Sequence, residues 1–66
     1  MNRIKEVLKE QGRSQKWLAE QIGKSTVMVT NYCTNKSQPK IELLYRIAEV
    51  LQVTAKDLLV DEIEEK

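Results

Sequence analysis

The sequence predicts an all-α domain of five short helices, and two observations carry that prediction. Apolar residues recur at helical spacing, most clearly at Leu44, Ile47, Ala48 and Leu51. The chain has only two Gly and one Pro, and each of them stands between two such periodic stretches. The length of 66 residues suits one domain, residues 1–66, with a small core that is largely aliphatic because Phe is absent.

The first helix is expected from Asn2 to Gln11, and its first residue can cap it. Ile4, Val7 and Leu8 fall on one face at spacings of three and four. Gly12 follows, and Gly adopts the left-handed conformation that ends many helices without a steric penalty. The helix is therefore expected to bury one face and to stop at this glycine.

The second helix is expected at about residues 15–21, between Ser14 and Gly23. The Ser14 hydroxyl can accept a hydrogen bond from a free N–H group of the first turn. The narrow apolar stripe of this helix consists of Leu18, Ala19 and Ile22. Trp17 lies at the edge of that stripe, where it can cover the first helix near Arg13 or lie against a bound partner. Packing is favoured, because Trp in a small domain usually supplies buried area.

The third helix is expected at about residues 26–34, with Ser25 as its cap and Asn35 at its end. Val29 and Tyr32 point to one side, and we expect them to be buried. The opposite side carries small uncharged residues, which are Val27, Thr30, Asn31 and Thr34. An uncharged polar surface suits a groove of bases better than bulk water. A helix, a glycine turn and such a second helix form the layout of a helix-turn-helix.

The fourth helix is expected from Ile41 to Leu51. Its inward face should consist of Ile41, Leu44, Ile47, Ala48 and Leu51. A fifth helix is expected after Thr54, because Asp57 stands three residues later in the arrangement of a capping box. Residues 61–66 form an acidic tail.

At these residues the sequence resembles the phage-repressor-like (Cro/repressor, XRE) helix-turn-helix DNA-binding domain, which has a lambda-repressor-like fold. The resemblance extends from Ile4 to about Leu59. It is carried by an ordered set of residues: Ser14, Gln15, Leu18, Ala19, Gly23, Val29, Pro39, Ile47, Ala48, Leu51 and Val53. Trp17 departs from the family pattern, in which this position is usually polar.

The resemblance implies sequence-specific binding of double-stranded DNA and a repressor-type transcriptional regulator. The residues expected to face bases are Thr26, Val27, Met28 and Asn31. Asn31 can bond an adenine edge through both groups of its amide, and the methyl groups of Val27 and Thr26 suit a thymine methyl. The residues expected to contact phosphates are Gln15, Ser25, Asn35, Lys36 and Lys40. The resemblance also implies that Gln15 braces the third helix.

The charge distribution agrees with a polyanionic partner. Residues 1–40 carry eight Lys or Arg and three Glu, a net charge of +5, whereas residues 41–66 carry three Lys or Arg and seven acidic residues, a net charge of −4. The basic half holds the helix-turn-helix, so the asymmetry favours a basic face toward DNA and an acidic face away from it. For any single Lys, a solvated side chain remains the simpler interpretation.

Other classes of function have little support in the sequence. The chain has no His and one Cys, which excludes an intrachain disulfide and a Cys/His zinc site. We expect no enzyme activity, no cofactor and no small-molecule ligand, because no catalytic constellation is present. Cys33 is interpreted as a packing residue in preference to a redox sensor. The charged N-terminus and the absence of a long apolar run predict a cytoplasmic protein without membrane contact.

Two partners are expected, double-stranded DNA and a second copy of the chain. Leu59, Val60 and Ile63 are candidates for the interface of a weak homodimer, since one short helix cannot bury all of them. The same apolar residues leave an alternative open. The chain would then be a protein-interaction module on the same fold, such as the antidote of a toxin pair or an adaptor.

Overall fold

The computed structural model describes residues 2–59. Within that range the chain forms four α-helices and a short 3-10 turn. The helices are α1 (Ile4–Gln11), α2 (Gln15–Ile22), α3 (Thr26–Cys33) and α4 (Ile41–Leu51), and the 3-10 turn is Lys56–Leu58. The described residues include no strand, only an isolated antiparallel bridge between Asn2 and Leu59. Over these residues the all-α prediction and the helix-turn-helix of α2 and α3 are confirmed, and the prediction of five helices is wrong, because the segment expected to start a fifth helix forms a single 3-10 turn.

The core lies between the four helices, and apart from one residue of α4 each helix contributes the face that its apolar spacing predicted. α2 is central, since it packs against both α3 and α4. The largest fully buried side chains are Ile4, Leu18, Val29, Ile47, Leu51 and Leu58. Tyr32 and Cys33 are buried beside them. One continuous aliphatic core therefore holds α3 in place through its inward face, as the pattern predicted.

Local signals in the sequence set the ends of α2 and α3. The Ser14 hydroxyl accepts from the Trp17 N–H at 2.9 Å, and the Ser25 hydroxyl accepts from the Met28 N–H at 3.1 Å. Gly23 ends α2 with a φ of 71°, a value that costs a residue with a side chain. The two predicted caps and the glycine turn between them are confirmed. α3 ends at Cys33, one residue earlier than expected.

The start of α1 differs from the prediction. The cap residue is Arg3, whose side chain makes no cap hydrogen bond. Asn2 stands one position earlier, and its Oδ1 accepts from the Ile4 N–H at 3.0 Å. Asn2 thus serves the first turn from outside the helix, and its remaining polar groups are bonded elsewhere in the fold.

The segment after Thr54 makes one turn and then becomes extended. Thr54 and Asp57 exchange the two hydrogen bonds of a capping box, each at 3.1 Å, as expected. The backbone hydrogen bond from Thr54 holds the pKa of Asp57 below its ordinary value. Leu58 is fully buried, and the extended backbone of Leu59 pairs with Asn2. This pairing takes Leu59 out of helical conformation, so no fifth α-helix forms up to that residue.

Ile41 corrects the predicted inward face of α4. Its side chain is 65% exposed, whereas Leu44, Ile47, Ala48 and Leu51 are buried. Ile41 is the first residue of α4, and the buried face begins one turn later at Leu44. The apolar residues therefore have helical spacing along the whole of α4, but Ile41 lies outside the core.

Candidate nucleic-acid interface

The outer face of α3 is exposed and uncharged. Val27 is 69% exposed and Met28 is 39% exposed, although both are apolar. Thr26 is also exposed, at the first position of the helix. No charged residue occurs from Thr26 to Cys33. The inward face is fixed in the core, so these side chains project from a rigid element.

Asn31 and Thr30 are less exposed than the pattern predicted. Both are half-buried, although the helical spacing places them on the outward face, where Asn31 is expected to be exposed. The Thr30 hydroxyl donates to Gln15 Oε1 at 2.8 Å, which turns Thr30 toward α2. This hydrogen bond joins the first residue of α2 to the middle of α3. Gln15 therefore braces α3, as the resemblance implied.

The connection between α3 and α4 carries the other predicted polar residues. Lys36 and Lys40 are exposed, and Asn35 is half-buried. Asn35 has a φ of 62°, which agrees with its predicted role at the helix end. Its Oδ1 accepts from the Asn2 N–H at 2.8 Å and from Gln38 Nε2 at 3.0 Å. Asn35 thus belongs to a hydrogen-bonded cluster that the sequence did not reveal.

Two basic grooves border the helix-turn-helix, one beside the connection between α3 and α4 and the other beside the start of α2. One has a volume of about 620 Å³, and its lining includes Lys24, Met28 and Lys40. It brings one residue expected at the bases together with one expected at phosphates. The other has a volume of about 440 Å³. Its lining consists of Lys5, Leu8, Lys9, Arg13, Ser14 and Gln15.

A family model described as helix-turn-helix matches residues 4–58, which include all four α-helices. The chain belongs to the XRE-type helix-turn-helix family. Among solved structures, it is similar to the crystal structure of a proposed DNA-binding protein from Bacteroides fragilis. The two share 48% sequence identity with a TM-score of 0.86, over 88% of this chain and 94% of the other. No curated protein matches the sequence significantly.

In this helix-turn-helix domain the unusual Trp17 is half-buried against the core. The guanidinium of Arg13 lies over its ring, 4.1 Å from the ring centre. A cation at this distance is attracted by the face of the indole. Trp17 therefore packs as expected, and it also orients an exposed Arg at the basic groove that contains Gln15.

Of the three candidate dimer residues, only Leu59 belongs to the described part of the helix-turn-helix domain. Leu59 is 48% exposed, next to the fully buried Leu58. Val60 and Ile63 fall outside residues 2–59. Leu58 is thus a core residue, and Leu59 is the one candidate of the three whose exposure is observed.

Cys33 is a free cysteine in the core of the helix-turn-helix domain. Burial raises the pKa of its thiol above the ordinary value. Its packing role is consistent with that environment. Within residues 2–59, no group of three or more Cys, Asp and Glu side chains is arranged to hold a metal ion. None of the helices in that range is both long and apolar enough to span a bilayer.

Proposed function

We propose that the chain is a sequence-specific binder of double-stranded DNA and a repressor-type transcriptional regulator. The observation that carries this proposal is the outer face of α3, which is exposed and uncharged. The segments on either side of α3 carry polar and Lys side chains. Family membership and the similarity to a proposed DNA-binding protein support it. In this arrangement α3 enters the major groove, and its neighbours contact the phosphates on either side.

Four residues of α3 read the bases, namely Thr26, Val27, Met28 and Asn31. The amide of Asn31 can donate to and accept from one adenine edge, and the Val27 methyl groups suit a thymine methyl. No Arg of α3 is available for the common bidentate contact with guanine. The face therefore favours a half-site rich in A·T pairs.

The phosphate contacts come from residues that border α3. Gln15 and Asn35 both have their amide oxygen engaged by donors of the protein. The amide NH₂ group of each can donate a hydrogen bond to a phosphate, because phosphate oxygens only accept. Ser25 can donate its hydroxyl proton while it accepts from Met28. Lys36 and Lys40 add two exposed positive charges.

Repression follows from occupancy, because a protein that fills the major groove of a promoter excludes other proteins from it. A weak homodimer completed on DNA would double the contacts and place two half-sites about one helical turn apart. Leu59, with Val60 and Ile63, is the proposed contact between the two copies. The four acidic residues around Ile63 oppose a tight dimer, since like charges would meet across the two-fold axis; they are Asp61, Glu62, Glu64 and Glu65.

Selection of bound sites from a random duplex library tests this function. We expect one enriched motif, A·T-rich and with two-fold symmetry, and binding that weakens steeply with salt. Lys36→Ala should lower affinity for all duplexes, whereas Lys56→Ala, which removes the same charge from the acidic half, should have little effect. Salt-dependent binding without an enriched motif would contradict sequence specificity. No binding at low salt would contradict the proposal as a whole and favour a protein-interaction module.

A further inference from the structure

Asn2 is a buried polar residue in a core that is otherwise apolar. Asn2 is 4% exposed, and it is the one buried polar or charged residue among those described. Its Nδ2 donates to the Tyr32 carbonyl at 2.9 Å and to Gln38 Oε1 at 2.8 Å. A buried amide is retained at low cost only when its groups are paired, and here both ends of the amide are.

The hydrogen bonds of Asn2 join three parts of the chain that are distant in sequence. They reach the start of α1, the last turn of α3 at Tyr32, and the connection between α3 and α4. The Asn2 N–H and Gln38 Nε2 both donate to Asn35 Oδ1, which closes a ring of three carboxamide residues. We call Asn2, Asn35 and Gln38 the carboxamide ring.

Asn2 is itself held from the opposite side. Its bridge to Leu59 is extended by a hydrogen bond of 2.7 Å from the Arg3 N–H to the Leu58 carbonyl. Leu58 is fully buried, so this segment is anchored in the core. The carboxamide ring therefore links the connection after α3 to a segment that is anchored in the core.

The ring acts on the residues proposed to contact DNA. Asn35 has a left-handed φ, and Lys36 follows it directly. The N–H groups of Lys36 and Ser37 both donate to the Asn31 carbonyl, at 2.9 and 3.3 Å. The conformation of this connection is thus continuous with the turn of α3 that carries Asn31. A shift of Asn35 would displace both a phosphate contact and a base contact.

We propose that Asn2 is a positioning residue for DNA binding, which sets the conformation of the connection at residues 34–40 through the carboxamide ring. The inference rests on the proposed function, and it adds a residue that touches no DNA in that proposal. The Asn2 side chain acts through Gln38, which in turn donates to Asn35, whereas the bond from the Asn2 backbone N–H to Asn35 remains in Asn2→Ala. Truncation of this side chain therefore affects DNA contacts made by residues that are themselves unchanged.

Gln11 provides a matched control. Its Nε2 donates to the Leu51 carbonyl at 2.8 Å and joins the end of α1 to the end of α4. This side-chain hydrogen bond is also long-range, but neither of its two residues lies in residues 31–40. Gln11→Ala therefore removes a tertiary interaction of α1 without altering the carboxamide ring.

The experiment compares Asn2→Ala with Gln11→Ala in two measurements. The first is amide hydrogen exchange of Lys36 and Ser37 in the free protein, relative to the core amide of Ile47. We expect Asn2→Ala to raise the relative exchange about tenfold, and Gln11→Ala to leave it unchanged. The second is affinity for a random duplex as a function of salt. Asn2→Ala should weaken binding about fivefold. The salt slope, which is the change in the logarithm of affinity with the logarithm of salt concentration, should fall in magnitude by about 0.9 for each phosphate that the variant no longer neutralises.

Gln38→Ala keeps the proposal testable if Asn2→Ala does not fold. Gln38 is exposed, so its truncation removes two hydrogen bonds of the ring without opening the core. It should shift exchange and affinity in the same direction. Unchanged exchange at Lys36 and Ser37 in both ring variants overturns the proposal, and so does an equal loss of affinity in Gln11→Ala. If the unaltered chain binds no duplex, the proposed function fails. Amide hydrogen exchange at Lys36 and Ser37 then tests by itself whether Asn2 sets the conformation of the connection.

Discussion

Carboxamide side chains organise the candidate interface at the level of single residues. Gln15 joins α2 to α3, and Asn35 joins the end of α3 to Asn2 and Gln38. An amide can accept at its oxygen and donate at its nitrogen in opposite directions. One residue can therefore fix its own position within the protein and still present donors to a phosphate.

Base reading and phosphate contact are separable by substitution. Asn31→Ala should cost about 1–3 kcal/mol on the best site and flatten the preference at one base pair. Lys36→Ala should weaken binding to all sequences similarly and reduce the salt slope by about 1. Competition binding with matched and mismatched duplexes measures both effects. An equal loss for Asn31→Ala on random duplex would show that Asn31 does not read bases.

Cys33 is expected to be inert in the folded protein. Burial disfavours the thiolate and raises the pKa, and the thiolate is the reactive form. Alkylation by iodoacetamide at neutral pH should be slow until denaturant unfolds the chain. Rapid modification of the native protein, or a change in DNA affinity on mild oxidation, would instead support the redox-sensor interpretation.

The sequence predicted those residues whose role depends on near neighbours. Ser14, Ser25 and Gly23 act within three or four positions of themselves, so their types and spacing were sufficient. Asn2 was assigned only as a helix cap, because its other partners are 30 to 36 positions away. Ile41 fits the helical spacing of α4, yet the pattern does not show where the core ends.

The caps of α2 and α3 allow a comparison at the level of the helix. Ser14→Ala and Ser25→Ala each remove one hydrogen bond from a first turn, and each should lower the free energy of unfolding by about 1 kcal/mol. Urea denaturation measures this loss. Ser25→Ala should weaken DNA binding more than Ser14→Ala, because Ser25 precedes α3 and is itself a proposed phosphate contact. Equal affinities in the two variants would remove Ser25 from the interface.

The 3-10 turn shows where helix prediction from this sequence fails. A capping box at Thr54 and Asp57 and apolar residues at Leu58 and Leu59 are compatible with an α-helix or with a single turn. In the structure the turn ends at Leu58, and the extended Leu59 pairs with Asn2, a residue near the other end of the sequence. No local pattern around Thr54 contains that information.

For the whole molecule, the small core and the divided charge suggest weak self-association. We expect a dimer only at high concentration of free protein, and a dimer on a selected site. Sedimentation over a wide range of concentration and the length of the footprint measure this. Leu59→Lys should weaken cooperative binding to a symmetric site without changing affinity for one half-site. A monomer at every concentration that protects a single half-site would contradict the dimer.

The bridge between Asn2 and Leu59 has a consequence for chain connectivity. It brings together Asn2 and Leu59, so a permuted chain in which a short linker joins these two residues need not cross the core. A circular permutant with new termini at Gln52 and Val53 should fold and keep its DNA affinity. One with new termini at Lys36 and Ser37 should fold, as shown by helical circular dichroism, but bind DNA poorly, because the cut divides the connection after α3. DNA binding would then tolerate a change in the order of the helices along the chain, but it would not tolerate a break in that one connection.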